Sequence, residues 1–144
     1  MIKIICVGKI KEKYLEDAIN DYYKRISKYH KIAIIEVDDS NIIDEKDRIL
    51  KKISGKDFVI SLDIAGKELN SLELADKIDN IFINNSNISF VIGGSNGLHE
   101  EINKRANFVL SFSRLTFPHG LFRVILLEQI YRSFKILNNQ TYHK

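Results

Sequence analysis

The chain has 144 residues, of which 44% are hydrophobic and 28% charged, and its formal net charge is +3. This length fits one domain spanning residues 1–144, and the composition is typical of a globular protein rather than a disordered one. No apolar run is long enough to span a bilayer, and the N-terminus leads straight into a strand instead of a signal peptide. The lone Cys6 lies in an apolar stretch, which indicates a buried thiol in a reducing compartment. We therefore expect a cytoplasmic, single-domain protein.

Apolar patterns predict strands that alternate with helices along the chain. The predicted strands span residues 2–7, 31–37, 58–64, 88–92 and 108–112. The predicted helices span residues 11–29, 44–53, a segment capped by Asn70 and ending near 82, 98–106 and 121–137. The alternation predicts an α/β fold with a mostly parallel sheet and helices on both faces. Residues 38–47, which are rich in Asp, form the segment that we expect to be mobile.

Charge is unevenly distributed along the sequence. Residues 1–101 hold 15 Lys or Arg and 18 Asp or Glu, whereas residues 102–144 hold seven basic residues and one acidic residue, Glu128. A basic patch in the C-terminal third would suit an anionic partner, most simply RNA or a phosphate-bearing ligand. A solvated helix face explains the charge equally well at this stage.

Two loops in the C-terminal third are the best candidates for a binding site. One is the glycine-rich turn Gly93-Gly94-Ser95-Asn96-Gly97, and the other is the run that contains the only proline, Pro118. We expect both loops to leave the carboxyl ends of adjacent strands, which is the edge where open α/β sheets bind ligands. A tight turn that needs glycine for its backbone is the alternative reading of the first loop.

The glycine turn also matches the G-x-S-x-G pattern of serine hydrolases. Such an enzyme needs an acid and then a histidine after the serine. The 49 residues that follow Ser95 contain no Asp, and their three Glu residues lie on predicted helices. The pattern therefore argues weakly for a hydrolase.

Histidine and cysteine spacing predicts no metal site, because the four histidines and the single cysteine are far apart in the sequence. His143 differs from the other histidines because it lies in the terminal segment Tyr142-His143-Lys144. That segment is either a frayed end or part of a site.

Several motifs together resemble one known family. Residues 90–99 read FVIGGSNGLH, residues 110–119 read LSFSRLTFPH, residues 128–132 read EQIYR, and the chain ends in YHK. The match extends to residues 7–9 and 62–67, and so covers nearly the whole chain. On these residues the chain resembles the RlmH family, SPOUT-class methyltransferases of bacterial large-subunit (23S) ribosomal RNA. It looks shorter than that family in residues 38–55.

The resemblance implies a SPOUT fold with a C-terminal trefoil knot, which is a rare exception to unknotted topology. It also implies a homodimer that transfers a methyl group from S-adenosylmethionine to N3 of a pseudouridine in ribosomal RNA, with assembled ribosomes as the expected substrate. By position, the cofactor would contact residues from three segments: Leu62, Gly93, Phe112, Ser113, Arg114, Leu115, Thr116 and Phe117.

The proposed chemistry requires the target N3 to lose a proton before it can attack the methyl group. His143 is the candidate catalytic base, although a residue of the tail could instead clamp the substrate. Arg132 and Lys144 could favour the ring anion or hold phosphates, and Tyr142 could stack on a base. The alternative function is a non-catalytic RNA- or ribosome-binding module of the same fold.

Overall fold

The computed structural model describes residues 1–144, which form five strands alternating with five helices. The strands are β1 Ile2–Val7, β2 Ile32–Val37, β3 Phe58–Glu68, β4 Ile88–Ile92 and β5 Phe108–Ser111. The helices are α1 Lys13–Ser27, α2 Ile42–Lys52, α3 Ser71–Asn84, α4 Glu100–Arg105 and α5 His119–Leu137. Every predicted element is present, and the predicted α/β class is confirmed.

All strand pairs in the sheet are parallel, and the strand order is β2-β1-β4-β3-β5. The two candidate loops follow β4 and β5, and these strands are separated by β3. The expectation that the loops leave adjacent strands is therefore wrong. Because β3 is hydrogen-bonded to both neighbours, its carboxyl end lies between the two loops and belongs to the same edge. The trefoil knot stays a prediction from the resemblance.

Two apolar clusters cover the two faces of the sheet. The larger cluster joins the strands to α1, α3 and α5, with Ile26, Ile78 and Leu126 fully buried. The smaller cluster joins the other face to α2 and α4 through Ile49 and Ile102. Side chains alternate between these faces along β1, because successive residues of a strand point to opposite sides. The long helix α5 thus lies on the more extensive face, between α1 and α3.

Strand β3 is longer than predicted and is interrupted. Both Leu62 and Lys67 pair with Leu110 of β5, so the four residues between them bulge out of the ladder. A Cβ on Gly66 would lie 2.7 Å from the carbonyl oxygen of Val109, which shows how closely the returning backbone approaches β5. This bulge places residues 63–66 at the carboxyl edge of the sheet.

The segment expected to be mobile is mostly helical. The side chain of Asn41 accepts a hydrogen bond from Asp44 N–H and caps α2, which begins at Ile42. Arg48 donates to the carbonyl oxygen of Asp38 and to the hydroxyl of Ser40, and so fixes the preceding loop to α2. The Asp-rich composition indicated solvent exposure and helix capping rather than disorder.

Asp57 organises the opposite, amino edge of the sheet. Its buried carboxylate accepts hydrogen bonds from Lys3 Nζ at 2.7 Å, Ser89 Oγ at 2.9 Å and the Ser54 N–H at 2.9 Å. Burial alone would raise the pKa of this carboxyl, but these donors outweigh it and hold the pKa below its ordinary value. The group therefore ties β1 and β4 to the start of β3.

No helix in the chain combines the length and the apolar character that crossing a membrane requires.

Candidate active site

A cavity of about 290 Å³ opens at the carboxyl edge of β4, β3 and β5. Three segments supply its walls: the end of the regular part of β3, the glycine turn after β4 and the loop that leads from β5 into α5. Its size is at the lower end of the range for small-molecule sites. The lining residues are Leu62, Asp63, Ile64, Ile92, Gly93, Gly94, Ser95, Gly97, Leu98, Leu110, Phe112, Ser113, Leu115, Thr116, Phe117, His119 and Phe122.

The glycine turn is shaped by contacts within its own backbone. The Gly97 N–H donates to the Gly94 carbonyl at 3.0 Å, and Gly97 has a φ of 71°, in the left-handed region. A Cβ on Gly93 would lie 2.6 Å from the Gly97 carbonyl oxygen. Glycine is therefore needed at position 93 because the backbone of Gly97 comes so close. Its own φ is not positive, so backbone conformation is not the reason. The turn in this form leaves main-chain groups exposed along the cavity wall.

Aromatic packing holds the loop between β5 and α5. The rings of Phe112, at the start of the loop, and Phe117, near its end, lie 5.1 and 5.9 Å from the ring of Phe122 in the first turns of α5. Within the loop, the Ser113 hydroxyl accepts a hydrogen bond from the Leu115 N–H at 3.0 Å. The loop is therefore supported at both ends and in its middle.

The bulge of β3 contributes Asp63, the one carboxylate that lines the cavity. Its Oδ1 accepts from the Ala65 N–H at 2.9 Å, and its Oδ2 accepts from Asn103 Nδ2 of α4 at 3.0 Å. Sequence reasoning missed Asp63, although it directly follows Leu62. A polar residue at the end of an apolar strand was the available signal.

Seven of the eight residues expected to contact a cofactor line this cavity, and Arg114 is the exception. The side chain of Arg114 is exposed within the same loop. The structure also brings His119 and Phe122 to the cavity. Both lie in the first turn of α5, and the sequence pattern did not indicate either of them as a site residue.

The basic residues of the C-terminal third do not form one patch. Arg123 is buried, with its guanidinium 2.6 Å from Glu36 and donating to the carbonyl oxygens of Val7 and Gly8. Arg105 donates to carbonyl oxygens at the amino edge, and Lys104 lies 3.8 Å from Glu100. The sequence count therefore overstated the positive surface, because these charges have local partners.

The terminal segment is folded back against α5 and is not frayed. Asn139 adopts a φ of 53°, and the Gln140 N–H donates to the Lys135 carbonyl, a C-terminal turn that reverses the chain. The Tyr142 ring then packs 5.0 Å from that of Tyr131, and its hydroxyl donates to Glu128 Oε1 at 3.2 Å. Burial, with the nearby Glu128 carboxylate, raises the pKa of Tyr142 to about 12.

Arg132 joins α5 to the tail. It contacts Glu128 at 2.5 Å, and this hydrogen bond raises the pKa of the guanidinium. Its Nη1 lies 3.1 Å from Nδ1 of His143, and its guanidinium lies 4.8 Å from the Tyr142 ring centroid. The structure therefore brings together three of the four candidate tail residues, while Lys144 is exposed at the end of the chain.

The group formed by Arg132, Tyr142 and His143 lies far from the cavity of the same chain. Arg132 lies ten residues beyond Phe122 on the same helix, which is about 15 Å at 1.5 Å per residue. His143 is held beside Arg132, so it shares this separation. One chain thus holds two distinct groups of candidate residues.

Ser95 has none of the surroundings of a hydrolase nucleophile. Its side chain is exposed at the cavity and forms no hydrogen bond with a histidine, and Asp63 is occupied by Ala65 and Asn103. No group of three or more His, Cys, Asp or Glu residues could hold a metal ion. The buried Cys6 has its pKa raised to about 12 by burial, which makes it an inert thiol.

The chain is similar to known proteins over its full length. The family described as "Predicted SPOUT methyltransferase" matches residues 1–143. A Clostridium botulinum (strain Okra) protein named ribosomal RNA large subunit methyltransferase H is 54% identical, with 99% of each chain covered.

Two solved structures share the fold at only 14% identity. One is a probable methylase family protein from Haemophilus influenzae, with a TM-score of 0.60, covering 99% of this chain and 70% of that one. The other is the tRNA (m1G37) methyltransferase of Aquifex aeolicus, with a TM-score of 0.56, covering 91% and 69%. The sequence match decides the family: the chain belongs to the SPOUT methyltransferases and, among them, to the RlmH family.

Proposed function

We propose that this protein transfers a methyl group from S-adenosylmethionine to N3 of a pseudouridine in large-subunit ribosomal RNA, on assembled ribosomes in the cytoplasm. The observation that carries the proposal is the cavity between the glycine turn and the Phe112–Phe117 loop. The name of the Clostridium relative supports ribosomal RNA as the substrate. The choice of pseudouridine and of N3 comes from the resemblance of the motifs.

The cavity residues fit the chemical parts of the cofactor. Leu62, Ile92 and Phe117 offer apolar walls to an adenine ring, and the open backbone of the glycine turn offers main-chain donors and acceptors. Each carboxylate oxygen of Asp63 accepts one hydrogen bond within the protein and keeps a second acceptor position for an ammonium or a ribose hydroxyl. When bound, the cofactor supplies an electrophilic methyl group on a sulfonium, and the protein holds the attacking atom in line with it.

We propose that the complete site is formed by two subunits. Because Arg132 and the tail lie about 15 Å along α5 from the cavity, a partner's tail has to supply them. Apolar side chains support a homodimer at this edge: Ile64, Leu72, Leu115 and Leu121 are 40–72% exposed. All four lie on segments that begin or end at the carboxyl edge of the sheet.

The contact between Arg132 and His143 is the basis for the roles that we assign to the two ring nitrogens. Because an arginine only donates hydrogen bonds, we assign Nδ1 of His143 as the acceptor in this contact and Nε2 as the protonated nitrogen. In this state Nε2–H can donate to a carbonyl oxygen of the target ring and stabilise the anion that forms when the N3 proton passes to solvent water. To serve as the base through Nδ1, His143 first has to leave Arg132. We therefore propose His143 as the catalytic residue, with Arg132, Tyr142 and Lys144 binding the substrate.

The test is methyl transfer from labelled S-adenosylmethionine to ribosomes that lack the modification, with identification of the product nucleoside. We expect label in N3-methylpseudouridine of the large-subunit RNA and none after mutation of the cavity residue Thr116 to Arg. Label in a different nucleoside would disprove the target. Ribosome binding without any cofactor affinity would favour the non-catalytic module instead.

A further inference from the structure

A cluster of tyrosines and cations lies along the seam between α1 and α5, outside both the cavity and the candidate tail residues. The ring of Tyr131 lies 6.2 Å from that of Tyr22 and 6.3 Å from that of Tyr29. The guanidinium of Arg25 lies 5.6 Å from the Tyr131 centroid, and the ammonium of Lys135 lies at the same distance. We call these five residues the seam cluster.

The charges of the seam cluster are incompletely neutralised. Arg25 is 3.2 Å from Asp21, but this pair is exposed, and its two side chains retain 45% and 57% of their accessible surface. Lys135 has no carboxylate within ion-pair distance, and its contacts are with the rings of Tyr29 and Tyr131. A cation held over an aromatic face keeps its charge and its remaining hydrogen-bond donors available to a second partner.

The contact between α5 and α3 differs in composition from the contact between α5 and α1. Helix packing alone therefore does not explain the tyrosines and cations of the seam cluster. Where α5 meets α3, Ser71 donates to Gln129 at 2.8 Å, and the neighbouring side chains include Leu74 and Ile125. Lys77 of α3 instead lies over Phe108 of β5. The α3 side also has a ring stack, in which His30 lies 4.4 Å from Phe82 of α3 and 6.0 Å from Phe134 of α5, but no lysine or arginine lies over these rings. The combination of tyrosines with lysine and arginine is therefore confined to the α1 side.

The seam cluster is continuous with the tail. The Tyr131 ring contacts Tyr142 at 5.0 Å, and Arg132 lies over Tyr142, so cations and tyrosines alternate from Arg25 to His143. Arginine, lysine and tyrosine hydroxyls are common donors to nucleic-acid phosphates. A strand that presents its target nucleotide to the tail would have its flanking phosphates near this seam.

We propose that the seam cluster is a second RNA-binding surface, in which Arg25 and Lys135 hold backbone phosphates flanking the target nucleotide. Tyr22, Tyr29 and Tyr131 orient these two cations. This inference rests on the proposed function, because it takes RNA as the substrate. In this proposal the seam cluster contributes to RNA affinity and takes no part in the methyl transfer itself.

The experiment measures RNA binding and its salt dependence for Lys135→Met and Arg25→Met, each of which removes one charge while keeping an unbranched stem. The probe is a large-subunit rRNA stem-loop that contains the target site. Lys52→Met is the matched control, since Lys52 is an exposed lysine of α2 on the opposite face of the sheet. Each seam variant should weaken binding about threefold or more and lower the slope of log affinity against log salt by about one. The control should equal the wild type.

Two further readouts separate the possible outcomes. Lys135→Arg keeps the charge and should restore the wild-type slope, and cofactor affinity should be unchanged in all variants. Wild-type affinity and slope in both Met variants would overturn the surface, as would a defect that Lys135→Arg does not rescue. The proposed function fails separately, if the wild-type protein binds this RNA but transfers no methyl group to ribosomes.

Discussion

Gly93 shows at the residue scale how a site residue can be required for a reason other than ligand contact. Because a Cβ there would meet the Gly97 carbonyl oxygen at 2.6 Å, Gly93→Ala should shift the turn and destabilise the fold by about 1–3 kcal/mol. We expect cofactor affinity to fall with it. Urea unfolding and calorimetric titration measure the two effects. A Cβ on Gly55 would meet nothing within 4 Å, so Gly55→Ala is the control and should leave both unchanged. Wild-type stability and affinity in Gly93→Ala would contradict this reading.

Asp57 should give the protein an acid-dependent component of stability. Its pKa is lowered in the folded protein, so the ionised carboxylate stabilises the fold at every pH above its unfolded value of about 4. This contribution is lost as the pH falls through the folded pKa. Asp57→Asn leaves Lys3 without its partner and should lower the free energy of unfolding by about 3 kcal/mol at pH 7. Unfolding curves from pH 2 to pH 7 should show a difference between wild type and variant that shrinks towards acid pH, and a constant difference would refute the assignment.

At the scale of elements, most of the fold could be predicted because the signals are local. Buried strands such as β4 are continuous apolar runs. Helix α3 begins at the predicted cap Asn70, and in the structure Asn70 and Glu73 form a capping box in which each side chain accepts a hydrogen bond from the backbone N–H of the other residue. The bulge of β3 could not be predicted, because it depends on how residues 62–67 align with Leu110 of another strand. Strand order likewise depends on non-local pairing, and this is why β3 was not expected between β4 and β5.

The contribution of residues 142–144 to the stability of the fold could not be predicted from the sequence. A frayed end was one of the two interpretations of residues 142–144, but Tyr142 packs against the main core cluster. Deleting residues 142–144 should therefore lower the free energy of unfolding by about 1–3 kcal/mol. Tyr142→Phe keeps the ring and loses only the hydrogen bond to Glu128, so its cost should be about 1 kcal/mol or less.

Thermal unfolding of both tail variants, with cofactor titration as the second readout, checks these values. Cofactor affinity should not change in either variant, because the cavity lies about 15 Å away along α5. An unfolding midpoint unaffected by the deletion would mean that the tail does not pack as described. Reduced cofactor affinity in a stable deletion variant would mean that a tail, from the same chain or from its partner, contributes to cofactor binding itself.

At the scale of the whole molecule, the sequence predicted both groups of candidate residues but not that the cavity and the tail lie apart within one chain. Seven of the eight residues predicted to contact the cofactor line one cavity, and the contact itself stays a prediction. The tail residues were expected close to the same chemistry, yet they lie beside Glu128 and Tyr131 on the far part of α5. The predicted helix 121–137 already implies the distance to Arg132. The sequence could not show that the tail folds back onto Glu128 and Tyr131 instead of extending towards the cavity.

Subunit complementation provides a direct test of a site shared between two chains. Thr116→Arg should block the cavity, and His143→Ala should disable the tail, so each homodimer should be inactive in methyl transfer. In a heterodimer with a shared site, the intact cavity of one chain meets the intact tail of the other and forms one working site. Random mixing makes half of the dimers heterodimers, so activity should recover to about a quarter of wild type. If each chain used its own tail, every site in the mixture would carry one defect and activity would stay absent. Sedimentation before and after mixing confirms that dimers form and exchange, and a fully active monomer would rule out the shared site altogether.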